Sequence, residues 1–192
     1  MGVRAGMVAM LLGIAPGWGF AQAAGTAQGG GQRGKGRDAR MDGMVLSKIH
    51  EANQMEIQAG QLAMERGATE GVRRYGDVLF RDHRMADKMG DDFAKRHGLE
   101  ITAPKPSSPE EMQQMKQQMA SMEKLKAAQG PEFDRMFLTA MTSAHEMAIK
   151  MLEGAEQGVS PDLGSMLRKM VPILKQHLEL AKHLSQKAQP SS

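Results

Sequence analysis

Four metal-competent side chains sit where helices of this chain should bury hydrocarbon. In residues 167–184, "LRKMVPILKQHLELAKHL", Leu167, Met170, Leu174, Ala181 and Leu184 recur at spacings of three and four, and His177 falls inside that stripe. Glu56 holds the stripe position between Ala52 and Ala59, His83 the one between Leu79 and Ala86, and His145 the one between Met141 and Ala148. Three imidazoles and a carboxylate can supply a tetrahedral or five-coordinate site for Zn, Mn, Fe or Cu. The same residues, hydrogen-bonded to one another without metal, would form a polar layer that fixes helix register at some cost in stability. Both readings stay open at this level.

The positioning elements follow from periodicity. Helices are expected over about Met44 to Arg66, Glu70 to His97 and Pro131 to Gln157, with a last one from Ser160-Pro161-Asp162 to about Lys187. Gly98 is a left-handed stop, and "LEITAPKPSS" with its two prolines is a loop. After it, Ser108 caps a shorter helix that has Pro109 in its first position and Glu110 and Glu111 at the positive end of the dipole. No segment alternates as a strand would. The first and last pairs of long helices are joined by a few residues each, which makes each pair an antiparallel hairpin. Two facing hairpins form an antiparallel four-helix bundle, with the short extra helix in the crossover connection. Counted from the turns at 1.5 Å per residue, Glu56 and His83 differ in depth by about 6 Å and His145 and His177 by about 8 Å. All four can therefore reach one layer.

Composition agrees with a helical protein. Of 192 residues 41% are apolar and only 4% aromatic, with 19 Met, so unbranched side chains suited to helices dominate. The absence of Cys excludes disulfides, thiolate sites and Cys nucleophiles. At the N-terminus Arg4 precedes an apolar run from Met7 to Phe20 and the small residues Ala21-Gln22-Ala23, the pattern of a cleaved secretory signal. Residues 24–40 carry Arg33, Lys35, Arg37 and Arg40 against Asp38, a balance of +3, while residues 41–192 carry −1. The basic excess therefore lies in a Gly-rich segment read as a flexible linker, and nucleic acid is excluded as a partner for the domain.

The stretches "EANQMEIQAGQLAMERGATEGVRRYGDVLFRDHRMADKM", "FDRMFLTAMTSAHEMAIKMLEGAEQG" and "PDLGSMLRKMVPILKQHLELAKHL" resemble one family of exported bacterial proteins. That family is a ferritin-like domain of unknown function, often labelled a predicted outer membrane protein. The resemblance covers residues 41–187, and its distinctive parts are Glu56 with Gly60-Gln61-Leu62-Ala63, Asp82-His83, His145-Glu146 and Pro172 with His177. It implies a ferritin-like four-helix bundle outside the cytoplasm and supplies no activity. Di-iron members of the ferritin-like fold carry Glu-x-x-His pairs. Here Phe80 and Leu174 stand three residues before His83 and His177, so a mononuclear site or no metal fits better than di-iron chemistry.

Lesser features have plain readings. Met112, Met115, Met119 and Met122 share one face of the short helix, which reads as packing in preference to a thioether site for Cu(I) or Ag(I). His50, His97 and His183 read as solvated, and Asp82, beside His83, reads as a surface charge in preference to an outer partner of the cluster. Pro172 must free one carbonyl within its helix.

The sequence thus leads to a signal peptide over 1–23, a linker over 24–40 and an all-α ferritin-like bundle over 41–188. The expected role is binding or stress protection in the periplasm or envelope, without catalysis, with one transition metal ion as the cofactor if the cluster binds one. The alternative is a metal-dependent redox protein with a mononuclear His3Glu site. No membrane-spanning segment is expected in the mature chain, no partner is assigned, and a homo-oligomer is left open. Intact-mass measurement of the protein purified from an envelope fraction should give a chain starting near Ala24; a full-length mass in the membrane fraction would refute cleavage.

Overall fold

The structure, a computed structural model, describes residues 31–103, 106 and 108–187. The expected signal peptide and the first part of the expected linker lie outside the described residues. Five helices account for most of the rest: α1 (Gly31–Arg66), α2 (Glu70–His97), α3 (Pro109–Ala127), α4 (Gly130–Ala155) and α5 (Pro161–Lys187). Among the described residues there is no strand, and no helix is long and apolar enough to cross a membrane. The hairpins α1–α2 and α4–α5 pack face to face as the expected antiparallel ferritin-like four-helix bundle, with α3 in the crossover.

The helix ends are built as the sequence requires. Thr69 caps α2, its hydroxyl accepting from Val72 N at 3.3 Å, and Gly98 ends that helix at φ 64°. Ser108 caps α3 by accepting from Glu111 N at 3.2 Å. One boundary differs. α1 begins at Gly31, well before Met44, so residues 31–40, read as a flexible linker, are helical. Once a helix is nucleated further along, extending it costs only residue propensity, and Gln, Lys, Arg and Ala between the glycines are good helix formers.

Within the first hairpin the backbones approach closely. A Cβ on Gly60 would lie 2.7 Å from the Gly76 carbonyl oxygen, and one on Gly76 would lie 2.7 Å from both the Gly60 carbonyl oxygen and Ala63 Cβ. Only glycine fits on either side of this crossing.

The apolar core is divided. One cluster includes Ala59, Ala63, Val72, Tyr75, Leu79, Phe133, Phe137, Met141 and Ala181. The other includes Val45, Leu46, Ile49, Phe93, Ile149, Leu152, Leu163, Leu167 and Leu174. Along α1, α2 and α4, Glu56, His83 and His145 fall between the members of the two clusters, and on α5 His177 lies at the same junction.

Each hairpin also ties down the turn of the other. Asp134, at the start of α4, accepts from Ala68 N, Thr69 N and Thr69 Oγ1 at 2.8–2.9 Å in the α1–α2 turn. Asp42 of α1 accepts from Ser160 N at 2.9 Å and Ser160 Oγ at 2.5 Å in the α4–α5 turn. Both aspartates are buried, with the hydrogen bonds that a buried carboxylate needs.

The packing reading of α3 holds only at its C-terminal end. Met122 and Leu125 are buried, but Met112, Met115 and Met119 are exposed at 45%, 38% and 63%. The helix joins the apolar core only through its last turns, so the regular Met spacing marks a flank and not a seam.

The glycine crossing gives a direct test. Gly76→Ala should destabilise the bundle by about 1–3 kcal/mol through overpacking. Gly154→Ala, where an added Cβ meets nothing within 4 Å, should be neutral or stabilise by about 0.5–1 kcal/mol. Urea unfolding of the two variants measures both, and equal effects would refute the close-approach account.

Candidate metal centre

Each long helix delivers one side chain to the junction between the core clusters. Glu56, His83, His145 and His177 are 4%, 5%, 0% and 3% exposed, so the structure brings together all four residues picked out by the stripes. Glu56 Oε2 lies 2.8 Å from His83 Nε2 and 3.3 Å from His145 Nε2. His145 Nε2 lies 3.2 Å from His177 Nδ1. The three imidazoles each place one ring nitrogen within 4.8 Å of the others. For comparison, two ligands on one tetrahedral ion with bonds of about 2.0–2.1 Å stand about 3.3 Å apart.

Hydrogen bonding on the outer side decides what each ring presents inward. His145 Nδ1 is 2.8 Å from the Met141 carbonyl, which can only accept, so that nitrogen carries the proton and Nε2 is a bare lone pair. His177 Nε2 donates to Asp82 Oδ2 at 2.9 Å, which leaves Nδ1 bare. His83 Nδ1 lies 2.9 Å from Asn53 Oδ1, and Nε2 is bare when the ring is neutral with its proton on Nδ1. With all three rings neutral, three lone pairs and a carboxylate oxygen converge there, and a proton or another cation must sit among them. Glu56 Oε2 and His83 Nε2 pair at 2.8 Å without an aligned hydrogen bond, and Asn53 Nδ2 is buried with no hydrogen-bond partner. Acceptors gathered in this way require a cation, either a proton or a metal. The outward carbonyl, carboxylate and amide are the kinds of group that orient metal-bound imidazoles. The residues fit a metal.

Without a metal, a proton supplies that positive charge. Burial pushes the Glu56 carboxyl upward, but the neighbouring His145 and His83 outweigh it and hold its pKa at about 2. Burial opposes a charge on His83, yet the Glu56 carboxylate beside it prevails and raises its pKa. Burial also depresses His177, against the pull of Asp82. Tyr75, stacked edge-on to Phe137, donates to the His177 backbone carbonyl at 3.1 Å and ties α2 to α5 just outside the cluster.

Two sequence readings are corrected here. Asp82 is the hydrogen-bond partner of His177, not a bystander on the surface, because one turn of α2 points His83 inward and its neighbour across the α2–α5 seam. His50 is half-buried, with Nδ1 2.7 Å from Asp87 Oδ1, while Gln54 donates to Asp87 Oδ2 at 2.6 Å. His97 stacks on Phe93 with ring centroids 4.1 Å apart, and His183 is exposed as expected. Asn53 was missed altogether. Its only signal was its place three residues before Glu56 on the same helix.

The tautomers are measurable. Long-range 15N–1H spectra should show His145 protonated at Nδ1 and His177 at Nε2; the opposite assignment for His177 would remove Asp82 as its partner.

Comparison with known proteins places the chain. The family model described as "Domain of unknown function (DUF4142)" matches residues 28–184, and the chain belongs to that family. No curated protein matches it. A structure described as CopM in the Cu(I)-bound form is similar, with a TM-score of 0.62 at 16% identity, over 76% of this chain and 96% of that one. A DUF305 protein from Streptomyces coelicolor, described as a secreted protein, gives a TM-score of 0.60 at 21% identity, over 79% and 93% of the two chains. At these identities the likeness is one of fold.

Proposed function

We propose that this member of the DUF4142 family is an exported helical-bundle protein that holds one transition-metal ion in its core. Glu56, His83, His145 and His177 are the ligands, and Zn, Mn, Fe and Cu are the ions suited to such a donor set. The observation that carries this reading is the convergence of four buried nitrogen and oxygen atoms at ligand-to-ligand spacing, with every ring engaged by an outer partner. The described CopM structure supports it to the extent that a bundle of this shape carries a metal in another protein. Export rests on Arg4, the apolar run to Phe20 and Ala21-Gln22-Ala23, and the DUF305 neighbour described as secreted is in keeping with it.

The role is holding rather than turnover. Catalytic metal sites keep a coordination position open to substrate. These four side chains are 0–5% exposed and are sealed above and below by apolar clusters, as in a closed site for storage, buffering or structure. An ion there would join two ligands from each hairpin.

Binding to the folded state alone stabilises by RT ln(1 + [L]/Kd), about 4 kcal/mol at a thousandfold excess over Kd. At about 2–4 °C per kcal/mol for a domain of this size, chelator-treated wild type should melt about 8–16 °C higher with the right ion among Zn(II), Mn(II), Fe(II) and Cu(II). His177→Leu should lose the response. If no ion shifts the wild type and His177→Leu is neutral or stabilising, the cluster is a polar layer and the metal reading fails.

A further inference from the structure

Two carboxylates address the cluster, and they do so differently. Glu56 reaches the inward nitrogens directly, at 2.8 and 3.3 Å. Asp82 stands behind His177, 2.9 Å from its outer nitrogen, with its own side chain 39% exposed. A third, Asp87, faces His83 from further along α2, but it is already engaged by His50 and Gln54. With three neutral imidazoles, Glu56 alone brings one negative charge to an ion. A monovalent cation would be neutralised by that charge. A divalent cation would leave one positive charge in a site walled by hydrocarbon, and Asp82 is placed to balance it across the imidazole ring.

Resting on the metal-holding role proposed above, we infer that Asp82 sets the valence of the ion, favouring a divalent over a monovalent cation. Its electrostatic attraction to the ion scales with the ion's charge. Replacing an outer-shell partner of a metal-bound histidine lowers affinity by about 10–100-fold. Where the whole of that loss is charge, a monovalent ion loses only its square root, about 3–10-fold. If Asp82 merely held the ring in place, both ions would lose the same factor. Partial exposure lets solvent and salt screen the charge, so the difference shrinks as ionic strength rises.

Asp82→Asn separates the two roles, because the amide oxygen still accepts from His177 Nε2 while the charge is gone. Asp82→Glu restores the charge. The probes are Zn(II) and Ag(I), titrated into full-length protein at low salt. Binding is read on the imidazole 15N signals of His145 and His177, so that ions on the exposed methionine thioethers go uncounted. The expected result is a loss of about 10–100-fold for Zn(II) against about 3–10-fold for Ag(I) in Asp82→Asn, with discrimination recovered in Asp82→Glu. Equal losses for the two ions, or no loss for either, overturn the inference while leaving the metal centre standing. Wild-type imidazoles that respond to neither ion overturn this inference, and the metal centre falls too when Mn(II), Fe(II) and Cu(II) also leave the melting point unmoved.

Discussion

A carboxylate buried among three imidazole lone pairs is stable only while positive charge is held between them. Glu56 is 4% exposed and yet keeps its charge, with a pKa of about 2, because positive charge on the neighbouring His145 and His83 outweighs the cost of burial. That requirement organises the bundle. Four helices must bring their one polar stripe residue to the same height, and hydrocarbon must close over the layer from both sides. The two apolar clusters are the result.

The layer makes register costly to change. Sliding one helix by a turn, about 5.4 Å, would put an imidazole against leucine and leave the remaining acceptors without their neighbour. The Gly60–Gly76 crossing adds to this, since two backbones in direct contact cannot slip past Ala63 or Phe80 without collision. Outer partners then fix orientation as well as height. Met141, Asp82 and Asn53 each engage one ring on its far side, so the imidazoles present chosen atoms as well as occupying the right space.

Much of this was legible in the sequence because a helix has one period and one inside. Glu56, His83, His145 and His177 each interrupt an apolar stripe, and counting from the turns was enough to put them in one layer. The family resemblance pointed to the same bundle. What could not be read were contacts set by how helices cross. Asp82 resembles any exposed residue of α2 until α5 is laid beside it, and Asn53 is an ordinary polar residue until His83 faces it. Asp42 and Asp134 meet turns that lie far off in sequence. The methionines of α3 misled for the converse reason: their spacing is that of a buried face, but helical spacing does not say that anything lies opposite. The start of α1 is hidden in the sequence because its glycines read as linker while the helix formers between them carry the helix on.

The crossed aspartate caps have a consequence for how the chain reaches this structure. A lone α1–α2 hairpin would leave Ala68 N, Thr69 N and Thr69 Oγ1 without the carboxylate that satisfies them, and a lone α4–α5 hairpin would lack the partner of Ser160. Each half stores its own end in the other half. Partly assembled species are thereby penalised at both ends of the bundle, and opening one hairpin uncaps both turns. Native-state hydrogen exchange in such a molecule would follow a single cooperative unit in place of two independent foldons.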